Sequence, residues 1–241
     1  MGILKRAAVP LFLVLMVCAV SVFFYAEERA VAVSSTKGKS QRVVIIDAGH
    51  GGFDGGAVAS DGTVEKDINL NIALTLQTLL KQNGFCVIMT RQTDVSTEDT
   101  ESTEISFKKR SDLKNRLQLM KDYPDAIFVS IHLNKFTTSS AFGSQVFYSD
   151  SHEAEVLGDC IQRSIVALLQ PENMRVNKKT TSGTYLLYNA TVPAVLVECG
   201  FLSNKDDLEK LKQTDYQNKL AFSIYCGILE YYKENGDGDQ V

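Results

Sequence analysis

"VVIIDAGHGGFDGG" runs from Val43 to Gly56. It opens with four β-branched residues and no polar alternation. Such a run suits a strand buried on both faces, as in a parallel sheet covered by helices. The apolar residues that follow, Ile68, Ile72, Leu76, Leu79 and Leu80, recur at helical spacing, and Gly84 supplies the stop. "FCVIMT", from Phe85 to Thr90, reads as a second strand. Strand, helix and strand make a right-handed βαβ unit.

The alternation continues outward from that unit. The stretch Arg91–Arg110 is polar and reads as a surface loop. A short helix is expected over Ser111–Pro124, with Ser111 as its cap and Pro124 as its stop. "AIFVSIHLN" and "GSQVFYS" read as strands three and four. An amphipathic helix capped by Ser151 or Asp150 follows. "TYLLY", Thr184–Tyr188, and "AVLVECG", Ala194–Gly200, read as two more strands, and helix closes the chain. The expected fold is α/β: a single domain with a mostly parallel sheet flanked by helices on both faces. Ligands in such folds bind outside the carboxyl ends of the strands.

The 241 residues carry a formal net charge of −4. Nucleic-acid binding calls for a basic stripe, so no nucleic acid is expected as a partner. None of the five cysteines has CxxC spacing, which argues against a structural zinc knuckle. The basic "MGILKR" precedes an uncharged apolar run from Ala7 to Ala26, long enough to cross a bilayer. Residues 1–29 therefore read as a signal-anchor or signal peptide, with an uncleaved anchor favoured. The chain beyond them is expected outside the cytoplasm, membrane-anchored or secreted. Residues 30–42 read as a linker, 43–234 as the catalytic domain and 235–241 as a frayed tail.

Two histidines, His50 and His132, fall at expected strand tips, and Glu65 falls where a loop enters a helix. A His–Glu–His set leaves one coordination position open, as catalytic zinc requires. The glycines around His50 permit tight turns and leave room for a bulky substrate. Glu198 ends an apolar strand, where a carboxylate is expensive to bury without a task. Beside a zinc-bound water it would transfer protons. Asp47 is a candidate to orient His50 or a neighbouring loop. Each residue also has a plainer reading. His50 could be a turn histidine, His132 a core histidine, Glu65 a first-turn acid and Glu198 half of an ion pair. "GHGGFDGG" lacks both the P-loop ending and the GxGxxG spacing, so a phosphate cradle is disfavoured.

"VVIIDAGHGGFDGG", "VEKDINLNIALTLQTLL", "MTRQTD", "RSDLKNR", "FVSIHLN" and "VPAVLVECGFLSN" stand in an order that resembles the zinc-dependent N-acetylmuramoyl-L-alanine amidases, the amidase_3 family. The likeness runs from about Val43 to about Tyr232 and is greatest to the germination-specific members. It implies a roughly six-stranded sheet, zinc ligands at His50, Glu65 and His132, and an essential glutamate at Glu198. It also implies a peptidoglycan substrate, and action in the spore cortex ahead of muramic-δ-lactam formation. Ala48 stands where the family often has proline, and Leu133 and Lys135 stand where many members have small residues. Asn134, Gln145 and Asn204 are candidate substrate contacts. Control by an activator protein stays open. So do two rival readings: another zinc hydrolase acting on stem peptides, and a catalytically silent wall-binding protein.

Overall fold

The structure, a computed structural model, describes residues 42–237. The expected N-terminal segment and all but the last residue of the linker lie outside the described residues, as do residues 238–241 of the expected tail. Among the described residues, no helix is long and apolar enough to cross a membrane.

Strand β1 (Val43–Ala48) is followed by α1 (Glu65–Gln82), β2 (Cys86–Met89), α2 (Ile105–Asp122) and β3 (Ala126–Asn134). Then come β4 (Gln145–Tyr148), α3 (His152–Leu168), β5 (Lys178–Lys179), the single turn α4 (Tyr185–Tyr188) and β6 (Ala194–Phe201). Helices α5 (Lys205–Leu211) and α6 (Thr214–Tyr232) close the fold, and a π turn extends α6 through Asp237. The six strands form one sheet in the order β2-β1-β3-β6-β4-β5. All neighbours are parallel except β4, which runs antiparallel to β6.

Successive residues of a strand face opposite sides of the sheet, so β1 feeds two cores. Val44, Ile46 and Ala48 pack in one core with α1, α3 and α6. Ile45 packs in the other, smaller core with Leu117 and Met120 of α2 and Leu186 and Leu187 of α4. One face is thus thickly covered and the other thinly. Ser130 and His132 alternate with Val129, Ile131 and Leu133 of the thick-side core, so they lie on the thin side.

Three local expectations change. Thr184–Tyr188 is no strand: Leu186 and Leu187 both insert into the thin-side core from a helical turn, while Tyr185 and Tyr188 stay exposed. The sixth strand is Lys178–Lys179. Helix α2 starts at Ile105, so Ser111 lies inside it, where its hydroxyl donates to Asp99 rather than capping. Ser151 does cap α3, accepting from the Ala154 amide at 3.1 Å. The four described cysteines, Cys86, Cys160, Cys199 and Cys226, are free thiols.

Candidate metal centre

The loop after β1 is built around an unusual backbone. His50 is the one non-glycine residue with positive φ among the described residues, at 62°. That conformation costs energy and persists only where the surroundings fix it. Two buried arginines do so. Arg91 Nε donates to the Ala48 carbonyl at 2.9 Å, and its Nη2 donates to the Gly49 carbonyl at 3.0 Å. Arg116 Nη1 donates to the Ala48 carbonyl at 3.0 Å, and its Nη2 donates to the His50 carbonyl at 2.7 Å. Asp47 anchors Arg116 in turn, at 2.6 Å, and accepts from Ser130 Oγ at 2.6 Å. Burial pushes the Asp47 carboxyl up, but Arg116, His132 and Ser130 together hold it below the usual range. Asp47 therefore acts on the loop through Arg116 and makes no bond to His50.

The His50 side chain is aimed by Asp54 instead. Its Nδ1 lies 3.0 Å from Asp54 Oδ2, while its Nε2 lies 3.2 Å from Glu65 Oε1. Lys109 Nζ holds the other Asp54 oxygen at 3.0 Å. Glu65 is the first residue of α1 and is buried. Its Oε2 accepts from the Ala57 amide at 2.8 Å, and its Oε1 accepts from the Leu133 amide at 3.0 Å. His132 Nδ1 lies 3.0 Å from the same Oε1. Burial pushes the Glu65 carboxyl up, and the two histidines outweigh it, so the group stays well below the usual range. For His50, burial pushes down, yet Asp54 and Glu65 raise its pKa to about 9.

His50, Glu65 and His132 each offer one ligand atom, and all three lie within 4.8 Å of one another. Two imidazole nitrogens and a carboxylate oxygen suit zinc better than the all-oxygen shells of magnesium or calcium. Two glycines keep the space clear: a Cβ at Gly49 would overlap the His132 ring, and one at Gly56 would overlap Glu65 Oε2 and the His50 ring. The glycines thus make room for the ligand side chains, not only for a substrate. A cavity of about 170 Å³ adjoins the ligands, walled by Asp54, Lys109, Leu113 and Leu186.

Glu198 lies beside His132 in the β3–β6 ladder. As a residue it is partly exposed, but its Oε2 is buried and has no hydrogen-bond partner. Burial, with Glu65 adding to it, pushes its carboxyl up to about 7 against the pull of His132 and His50. A neutral-range carboxyl with a free oxygen beside a metal-type cluster fits proton transfer. The plainer ion-pair reading of Glu198 finds no lysine or arginine partner among the described residues.

The other candidates divide. Both ends of the Gln145 amide are taken, by Arg175 and by the Val176 carbonyl. Asn204 caps α5 and donates to the Ser139 carbonyl. The Asn134 side chain makes no hydrogen bond within the described residues and stays available. The sequence reading missed Asp54, Arg91 and Arg116. An Asp four residues after a candidate ligand was a usable signal for Asp54. The arginines act across intervals of 43 and 68 residues, which spacing does not reveal.

Residues 44–230 match the Amidase_3 family, described as N-acetylmuramoyl-L-alanine amidase. The chain is 38% identical, over 82% of its length and 83% of the relative's, to the germination-specific N-acetylmuramoyl-L-alanine amidase of Bacillus subtilis. Among solved structures it is similar to the CwlD amidase of Clostridioides difficile in complex with the GerS lipoprotein. That match has 40% identity and a TM-score of 0.77, covering 80% of this chain and all of that one. It is also similar to the amidase AmiC2 of Nostoc punctiforme, with 30% identity and a TM-score of 0.70 over 81% of this chain and 99% of that one.

Proposed function

Because the chain belongs to the N-acetylmuramoyl-L-alanine amidase family, we propose that His50, Glu65 and His132 hold a zinc ion and that Glu198 moves the proton. The bond cut joins N-acetylmuramic acid to the first L-alanine of the stem peptide. One observation carries the reading: two histidine nitrogens converge on a single Glu65 oxygen, beside the buried, unpartnered Oε2 of Glu198. When bound, zinc supplies a Lewis acid and lowers the pKa of a coordinated water. Glu198 Oε2 accepts a proton from the attacking water and returns it to the departing alanine nitrogen, which leaves as a free amine. Asp54 keeps a proton on His50 Nδ1, which leaves Nε2 as the nitrogen that would hold zinc. Arg91 and Arg116 hold the backbone that aims His50.

The likeness to the germination-specific enzyme supports a place in spore cortex peptidoglycan, ahead of muramic-δ-lactam formation. Residues 1–29 would carry the catalytic domain, residues 43–234, out of the cytoplasm and tether it to the membrane or be cleaved. A protein activator is also proposed, since a related amidase was solved with a lipoprotein. The test incubates the purified protein with peptidoglycan, with and without zinc, and weighs the soluble products. Zinc-dependent release of stem peptides that begin at L-alanine is expected. Cleavage inside the stem peptide, or no product from zinc-loaded protein even with a lipoprotein partner added, counts against the reading.

A further inference from the structure

The amidase reaction fixes which bond is cut but not what holds the peptide on the departing side. We infer that Arg175 is a specificity-determining residue that binds a carboxylate of the stem peptide. The group in question is the one its γ-linked second residue leaves free, next along from the departing alanine. This inference rests on the amidase reading above.

His132, Glu198 and Gln145 stand opposite one another on β3, β6 and β4. Residues directly opposite in a ladder share a face, so the three form a row across the thin side of the sheet. Gln145 Oε1 accepts from Arg175 Nη1 at 3.0 Å, which extends the row by a guanidinium. Arg175 Nε donates to the Phe142 carbonyl at 2.8 Å, and its guanidinium carbon lies 4.7 Å from the Phe201 ring centre. The head group is thus fixed in place on an aromatic ring, and its Nη2 makes no hydrogen bond within the described residues.

Arg91, Arg116 and Arg163 are saturated. Arg91 and Arg116 donate to backbone carbonyls, and Arg163 pairs with Asp159, Glu230 and Glu234. Arg175 is only partly exposed; it acts on the Asp207 carboxylate from a distance, but no carboxylate lies in ion-pair range of it among the described residues. A guanidinium presents a planar fork that matches a carboxylate, so one left unpaired beside a reaction centre is matched to an anion from outside. Gln145 also separates it from Glu198.

The dimensions agree. Strands lie about 4.8 Å apart, so Gln145 is one strand beyond Glu198 and two beyond His132. Measured from Glu198, one strand away, two extended residues reach about 7 Å, which carries the second residue of the stem past Gln145 toward Arg175.

Two glycan-linked stem peptides test this, identical except that the second residue carries either the free carboxylate or its amide. Zinc-loaded wild type, Arg175→Gln and Arg175→Lys are compared, with folding checked by circular dichroism. Wild type should prefer the acid by about 10-fold or more in kcat/KM, as expected for a charge-assisted contact. Arg175→Gln should lose that preference through a raised KM on the acid alone, with the amide substrate unchanged, and Arg175→Lys should keep part of it. A wild type indifferent to the carboxylate overturns the inference. So does an Arg175→Gln protein that declines equally on both substrates, because Arg175 would then merely brace the Phe142 loop. Wild type that frees no alanine amine from either peptide defeats the amidase reading along with it.

Discussion

At the scale of single residues, the site is a set of short distances that tolerate little. Glu198 has one free, buried oxygen and a carboxyl lifted to about 7. Glu198→Gln keeps the shape and removes the proton acceptor. It should lower kcat about 10²–10⁴-fold while leaving bound zinc at one equivalent; a product assay paired with metal analysis reads both, and near-normal turnover would remove Glu198 from the mechanism. Gly49 fails differently. A methyl there would overlap the His132 ring, so Gly49→Ala should push that ring off its position and weaken zinc binding at least about 10-fold. Gly183→Ala is the control, because its Cβ would meet only Thr181 Oγ1 at 3.8 Å. Competition with a chelator dye measures both variants. Equal zinc affinity for Gly49→Ala and wild type would mean that the loop gives way.

At the scale of elements, Asp47 ties the sheet together under the site. Its carboxylate accepts from Arg116 on α2, from Ser130 on β3 and from Thr90 just past β2. Replacing it by asparagine leaves the buried Arg116 with Asp112 alone of its two carboxylate partners, a loss of about 1–3 kcal/mol. The sign with pH follows from the depressed carboxyl. An unfolded Asp titrates near pH 4, and the folded one titrates below that. Its stabilisation is therefore fully present above about pH 4 and is lost as pH falls through the folded value. Urea midpoints of wild type and Asp47→Asn should differ by a constant amount between pH 8 and pH 5 and converge on further acidification. A gap unchanged to pH 3 would mean that the charge on Asp47 contributes nothing. Elements also mark where sequence was readable. β1 announced itself because both its faces are buried, and His50 because nothing nearby except glycine competes with it. Tyr185–Tyr188 misled because four residues are too few to display a helical period, and two adjacent leucines look alike in a strand and in a turn. β5 is two exposed lysines and carries no apolar signal at all. The arginine brace was hidden because its partners are backbone carbonyls, which every residue has.

At the scale of the whole molecule, the uneven cover of the sheet decides what the enzyme can reach. Three long helices bury one face, while α2 and a single turn cover part of the other. The row from His132 to Gln145 lies on that thinner side, at the carboxyl ends of β3 and β6. The same arrangement would make a bound metal a structural ligand. His50 and Glu65 bracket the loop between β1 and α1, and His132 belongs to β3, so an ion there joins three segments that the chain connects only at a distance. An ion that binds the folded state alone, at 100 times its dissociation constant, adds about 2.7 kcal/mol. For a domain of this size that corresponds to a rise in Tm of about 5–11 °C. Thermal unfolding should therefore shift down by that amount on chelation and return on adding zinc. His132→Ala should show no zinc response. A reductant should leave the transition where it is, because the described cysteines are free thiols. A Tm that ignores zinc in the wild type would mean that the three side chains do not form a metal site. A Tm that falls with reductant instead would place the cross-link between covalently joined sulfurs.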